Sequence, residues 1–135
     1  MANIVSFVIP SEYIDRYNHV HYKSYLTIFK NAFMAFLTKR GITLMSPEER
    51  NMFFVTRRIE VDYVHELLVD DQIKIFTKID HIGRTSVVFL QSIVCEKIGT
   101  TTTCKSVFVL LDSTTRLKMD IPEELCIKLL SEYLA

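Results

Sequence analysis

Only three glycines and three prolines are spread over 135 residues. So few chain breakers leave no room for a long flexible linker, and no low-complexity tract or repeat interrupts the chain. A single domain spanning 1–135 is therefore expected. Neither sign of charge is in excess, with 16 Lys plus Arg against 16 Asp plus Glu. A neutral chain has no global field to collect nucleic acid or an anionic membrane, so an anionic ligand has to be met by a local cluster. Cysteine is scarce too. Cys95, Cys104 and Cys126 are an odd number without metal-type spacing, which fits a reducing, cytoplasmic setting and predicts small apolar fillers. Residues 1–10 lack both a basic start and a long apolar run, so neither a signal peptide nor a membrane span is expected there. What is abundant is hydrophobic residues, at 49%, beside 24% charged ones, the balance of a soluble globular protein. A chain of this length can remove roughly 68% of its unfolded surface from water, enough for a real core without a covalent staple.

Residues 1–9 suggest a first strand that stops at Pro10. Between 22 and 40 the bulky positions Tyr22, Tyr25, Leu26, Phe29, Phe33, Phe36 and Leu37 recur at spacings of three and four, which draws one helical face. Ile28, Ala32 and Met34 widen that stripe, so the helix should be central and largely surrounded by protein. Gly41 is its expected stop.

From Met52 to Asp112 the pattern turns to strands. Strict alternation would put Phe53, Val55, Arg57, Ile59, Val61 and Tyr63 on one side of the first, and Phe54, Thr56, Arg58, Glu60, Asp62 and Val64 on the other. Segments 72–82, 85–96 and 101–111 are rich in Ile, Val, Phe and Thr, with Gly83 and Gly99 in the tight connections of an antiparallel meander. Thr100 to Thr103 are expected to alternate their hydroxyls into solvent. Pro122 followed by Glu123 and Glu124 marks the start of a short helix running through Leu134. The sum is an α+β domain whose sheet buries a long helix.

The segment that carries chemistry is Asp15-Arg16-Tyr17-Asn18-His19-Val20-His21-Tyr22-Lys23, which runs straight into that helix. It offers a carboxylate next to unpaired backbone N–H groups and the positive end of a helix dipole. That combination suits attack on a carbonyl. His19 and His21 are only two apart, and a third ligand would have to come from His65 or His81 without a supporting motif, so no metal is expected. His21, His65 and His81 are expected at the surface or in turns. No Gly-x-Ser-x-Gly elbow is present, which argues against a serine hydrolase.

The element order and the Asp15-x-x-x-His19-Val20-x-Tyr22-x-x-Tyr25-Leu26 segment resemble the hot-dog fold thioesterases, in particular the 4-hydroxybenzoyl-CoA thioesterase-like acyl-CoA hydrolases. Further matching pieces are Ile59 to Tyr63 before Asp70-Asp71, Ile82-Gly83-Arg84-Thr85-Ser86 at the next hairpin, Leu111-Asp112, and Ile121-Pro122. The resemblance implies a long helix wrapped by a curled antiparallel sheet, and hydrolysis of an acyl-CoA without any cofactor. Asp15 then acts as general base on water or as nucleophile, and N–H groups at about Tyr22 and Lys23 form the oxyanion hole. His19, Lys23, Tyr25 and Arg84 are the expected substrate contacts, Arg84 because its hairpin resembles a phosphate-contacting turn. Arg57 and Arg58, set on opposite strand faces, are weaker candidates. Phe29, Phe33 and Phe36 are first of all core, though the rim of that stripe could line an acyl tunnel. The family covers its sheet edges by pairing protomers, so a homodimer or homotetramer is implied.

Three positions depart from the family pattern. The first aspartate of the usual pair is Tyr13, the usual glycine is Asn18, and a helix glutamate of many relatives is Lys30. Asn enters left-handed backbone angles readily enough to keep the turn. The loss of the helix glutamate favours the branch that works through the loop aspartate. Rival readings are a non-catalytic acyl-CoA or lipid-binding module and a thioesterase acting on acyl carrier protein; a dehydratase is disfavoured by the lack of a suitably spaced His and acid.

Overall fold

A computed structural model describes residues 3–42 and 51–131. Strand β1 (Asn3–Val8) is followed by a single 3-10 turn (Ser11–Tyr13) and the long helix α1 (Tyr22–Lys39). Then come β2 (Met52–Tyr63), β3 (Gln72–Ile82), β4 (Ser86–Cys95), β5 (Gly99–Asp112) and a short helix α2 (Glu123–Leu130). The five strands form one antiparallel sheet in the order β1-β3-β4-β5-β2. β1 and β2 are its two edges.

Alternation along β4 is complete: Val87, Phe89, Gln91, Ile93 and Cys95 are buried while their neighbours are only half so. This face takes the apolar stripe of α1. Ile28, Phe29 and Ala32 pack with Ile73, Ile75 and Ile93 in one cluster; Phe36 and Leu37 pack with Val87, Phe89, Leu110, Leu125 and Leu129 in a second. The central helix expected from its wide apolar girth is thus what the sheet wraps. The connections also behave as expected at Gly99, which has φ of +97°, a backbone that side chains resist.

Three expectations need correction. β2 carries a bulge at Arg57, between the pairs Thr56 with Phe108 and Arg58 with Val107. An extra residue flips the phase of everything after it. Phe54 and Thr56 therefore share a face with Ile59, Val61 and Tyr63, not the opposite one. The same effect operates in β5, where Thr101 is skipped in the pairing with β4. Thr101 and Thr102 are in consequence both fully buried rather than alternating, with Thr101 Oγ1 donating to the Ile93 carbonyl at 3.3 Å. Finally, α2 stops at Leu130, because Ser131 turns extended and its hydroxyl donates to the Lys128 carbonyl at 2.7 Å. Residues 132–134, where the helix was expected to continue, lie outside the described residues, as do Met1 and Ala2 of the expected first strand.

Candidate active site

The approach to α1 is a miniature hairpin. Ile14 and Val20 form an antiparallel bridge, the Asp15 N–H donates to the His19 carbonyl, and the Asn18 N–H to the Asp15 carbonyl, each at 3.1 Å. Asn18 has φ of +66°, so this is a tight turn closed by a left-handed residue, the role that asparagine fills next best to glycine. The turn expected from Asn18 is formed. Asp15 takes part through its side chain as well: Oδ1 accepts the Tyr17 N–H at 2.8 Å. One carboxylate oxygen is thereby held, and the side chain is only partly exposed.

The hairpin is anchored on both sides. His21 N–H donates to the Tyr13 carbonyl and Val20 N–H to the Leu67 carbonyl, both at 2.9 Å. Leu67 is fully buried, and the loop that carries it is braced by Asp71, whose Oδ2 accepts the Leu68 N–H at 2.8 Å. Tyr25 joins the same brace. Its ring meets Tyr63 edge-on at 4.9 Å, and burial raises its phenol above the ordinary value against the opposing pull of a hydrogen bond from the Leu67 backbone. Tyr25 is a core residue, 4% exposed.

At the helix start, His21 is the N-cap, and its Nδ1 accepts the Lys23 N–H at 3.1 Å. Nδ1 is therefore the unprotonated nitrogen when the cap is made. Of the two donors expected for an oxyanion, the Lys23 N–H is already engaged. The Tyr22 N–H, at the first helical position, has no partner among the described residues. The Tyr22 side chain is exposed and stacks on His21 at 4.7 Å; His19 stacks on Tyr17 at 6.1 Å. Asp15, His19, Tyr22 and Lys23 are thus brought into one short surface segment.

Arg84 is not. It sits beyond Ile82, at the end of β3 away from Gln72, and its guanidinium pairs with Asp120 at 2.6 Å, both side chains exposed. The Asp15 segment lies near the Gln72 end, where the Ile9 N–H meets the Asp71 carbonyl. Arg57 and Arg58 are both exposed, and Arg58 pairs with Glu60.

Beyond the first turn of α1 a cavity of about 440 Å³ opens between the helix and the concave faces of β5 and β2. Leu26, Phe29 and Phe33 line its helix side, Phe54, Ile59 and Phe108 its sheet side. Phe36 does not reach it and belongs to the second core cluster. Sequence reasoning missed that Lys30, Thr56, Gln91, Cys104 and Ser106 are the polar members of the wall. The signal at Gln91 was legible, since an amide in the middle of an apolar strand falls on the buried face. Its Nε2 donates to the Phe29 carbonyl at 2.9 Å and to Thr77 Oγ1 at 3.0 Å. Cys104 is 4% exposed, and burial pushes its thiol up. Cys95 is also buried, whereas Cys126 is only half-buried. Among the described residues, no group of three or more His, Cys, Asp or Glu could hold a metal, and no helix is long and apolar enough to cross a membrane.

A curled five-stranded antiparallel sheet around one long helix, with the helix start left open beside a loop carboxylate, defines a hot-dog fold. Comparison takes this one step further. The chain belongs to the thioesterase-like superfamily, whose profile matches residues 8–129. Among solved structures it resembles a Staphylococcus aureus protein in complex with CoA, at TM-score 0.87 and 20% identity, covering 95% of this chain and 81% of that one. It resembles the 1,4-dihydroxy-2-naphthoyl-CoA thioesterase of Synechocystis at TM-score 0.87 and 11% identity, over 96% of both chains. The DHNA-CoA thioesterase of Staphylococcus aureus is similar at TM-score 0.80 and 18% identity, over 88% of this chain and 80% of that one. No curated protein matches the chain in sequence.

Proposed function

We propose that this chain is a cytoplasmic acyl-CoA thioesterase working through Asp15. The observation that carries the reading is the pairing of a partly exposed carboxylate, held at one oxygen by the Tyr17 N–H, with an unclaimed Tyr22 N–H at the start of α1. As general base, Asp15 takes a proton from water while the water oxygen bonds to the thioester carbon. As nucleophile, its free oxygen makes that bond itself, and water later opens the mixed anhydride. Either way, negative charge gathers on the thioester oxygen, where the Tyr22 N–H and the helix dipole stabilise it before the C–S bond breaks and coenzyme A leaves. His19 and Lys23, beside the same turn, are the substrate contacts in this scheme.

The assembly in the proposal is a homodimer, or a homotetramer built from two. β2 supports it: it is an edge strand with exposed Ile59 and Tyr63. Arg84 lies at the far end of the sheet from Asp15, so in this scheme it would meet the ligand held at Asp15 of a second protomer. Tyr25 would contribute by holding Leu67 and Tyr63 in place rather than by touching the acyl group.

Thiol release from a panel of short, long and aromatic acyl-CoAs is the test. Turnover of at least one is expected, and none at all would defeat the reading. A non-catalytic acyl-CoA-binding module is the second reading, favoured by the engagement of the Lys23 N–H, which leaves a single open donor. It predicts binding without release. A preference for acyl groups on acyl carrier protein would appear as turnover of that conjugate above the matching acyl-CoA.

A further inference from the structure

The imidazole of His21 occupies a donor that the reaction could use. Its Nδ1 accepts the Lys23 N–H at 3.1 Å, and this is the ring's one hydrogen bond among the described residues. The Lys23 N–H and the open Tyr22 N–H are consecutive donors at the same end of α1, so a single oxygen can accept both once the ring has moved away. Cap and ligand compete for one donor.

The backbone of His21 is pinned, its N–H donating to the Tyr13 carbonyl at 2.9 Å and its carbonyl accepting the Ser24 N–H at 2.8 Å. The side chain is held far less firmly. It is half-buried, and besides the cap bond it has a stack at 4.7 Å on the ring of Tyr22, itself exposed. Turning the imidazole aside therefore leaves the helix start where it is. A neutral hydrogen bond at a surface is worth little, whereas one from an N–H to an ionised oxygen is about twice as strong. A developing oxyanion displaces the ring, while the uncharged oxygen of an intact thioester has no such advantage.

We infer that His21 is a displaceable cap, which holds the Lys23 N–H in the resting protein and yields it when negative charge gathers on the thioester oxygen. The second donor is then engaged in the transition state and not in the ground state, the difference on which catalysis depends. This rests on the thioesterase reading above and makes His21 a positioning residue of that site. It also reconciles the occupied Lys23 N–H with turnover.

Removing the ring should help the reaction even as it weakens the helix start. His21→Ala is expected to raise kcat/KM roughly 2- to 10-fold, the worth of the lost cap, while the unfolding midpoint falls. His21→Asn, whose amide oxygen caps as well, should return both quantities to the wild-type values. In a double-mutant cycle, Tyr22→Pro should cost less rate in the His21→Ala background than alone, because the Lys23 N–H is free to take over. A cap with a structural role only gives the other sign. An unchanged or lower kcat/KM in His21→Ala, or an equal cost of Tyr22→Pro in both backgrounds, would overturn the inference. If no acyl-CoA is hydrolysed, the thioesterase reading fails separately, and calorimetry decides His21 alone. S-carboxymethyl-CoA carries an anionic oxygen beside the thioester position and S-ethyl-CoA does not. Tighter binding of the carboxylated ligand alone in His21→Ala sustains the inference; equal changes in both Kd values, or binding of neither, overturn it.

Discussion

The two ends of α1 are built for opposite purposes. At the C-terminal end the exposed backbone groups are closed off: Gly41, with φ of +69°, donates its N–H to the Thr38 carbonyl at 3.1 Å, and Ile42 donates to Leu37 at 2.9 Å. Both Leu37 and Ile42 are buried there, completing a left-handed helix stop with its apolar contact. Arg40, 3% exposed, lies over the Phe36 ring at 3.5 Å and ties α1 to α2 through the Ser131 carbonyl at 3.0 Å. At the N-terminal end a histidine cap uses one N–H and leaves Tyr22 open, with aromatic rings exposed around it. The lesson is that a well-capped, buried end holds the helix in place so that the other can present an unsatisfied group at a fixed position.

This contrast can be broken from either side. The largest structural effect is expected at the closed end, where Phe36→Ala removes a ring that packs edge-on against Phe89 at 5.3 Å and carries Arg40. A loss of about 3–5 kcal/mol of stability should follow, read by urea unfolding. At the open end, Tyr22→Pro deletes the N–H without disturbing the helix, since proline suits the first helical position and His21 already has φ of −65° and ψ of 140°. We expect kcat to fall roughly 10²- to 10³-fold, with an unchanged unfolding midpoint, whereas Tyr22→Phe should stay near the wild-type rate. Gly41→Ala, back at the closed end, should cost about 1 kcal/mol of stability and leave kcat alone, because alanine resists the left-handed backbone.

The smallest effect sharpens the same division by pH. Hydrogen bonds from the Thr115 and Thr114 N–H groups hold the exposed Asp112 carboxyl below the usual range. Because the folded value is depressed, its contribution is complete above the unfolded pKa and disappears as pH falls through the folded one. Asp112→Asn should therefore lose a small part of the Tm decrease seen on acidification, with no change in the pH profile of thiol release.

The sequence made the helix legible because a seven-residue stripe at three- and four-residue spacing has one reading, and Gly41 marked its end. The Asp15 turn was legible for a similar reason, as Asn18 is among the few residues that can take a left-handed angle. The bulge at Arg57 left no mark: it contains no glycine, and an inserted residue is indistinguishable from its neighbours until strand pairing shows which one is skipped. That single phase shift is why Phe54 and Ile59 were expected on opposite faces and in fact line one cavity. The engagement of the Lys23 N–H was hidden as well, because the use of His21 as a cap depends on a side-chain rotamer. The separation of Arg84 from Asp15 depends on strand length and direction, and these belong to the whole sheet.

The most direct test of the account is the rate of thiol release by Asp15→Asn beside the wild type, at saturating acyl-CoA and with circular dichroism to verify folding. The near-isosteric amide can still accept the Tyr17 N–H but can neither take a proton nor attack, so kcat should drop about 10²- to 10⁴-fold while the fold and the assembly persist. A variant that keeps the full rate would contradict the account and remove Asp15 from the chemistry.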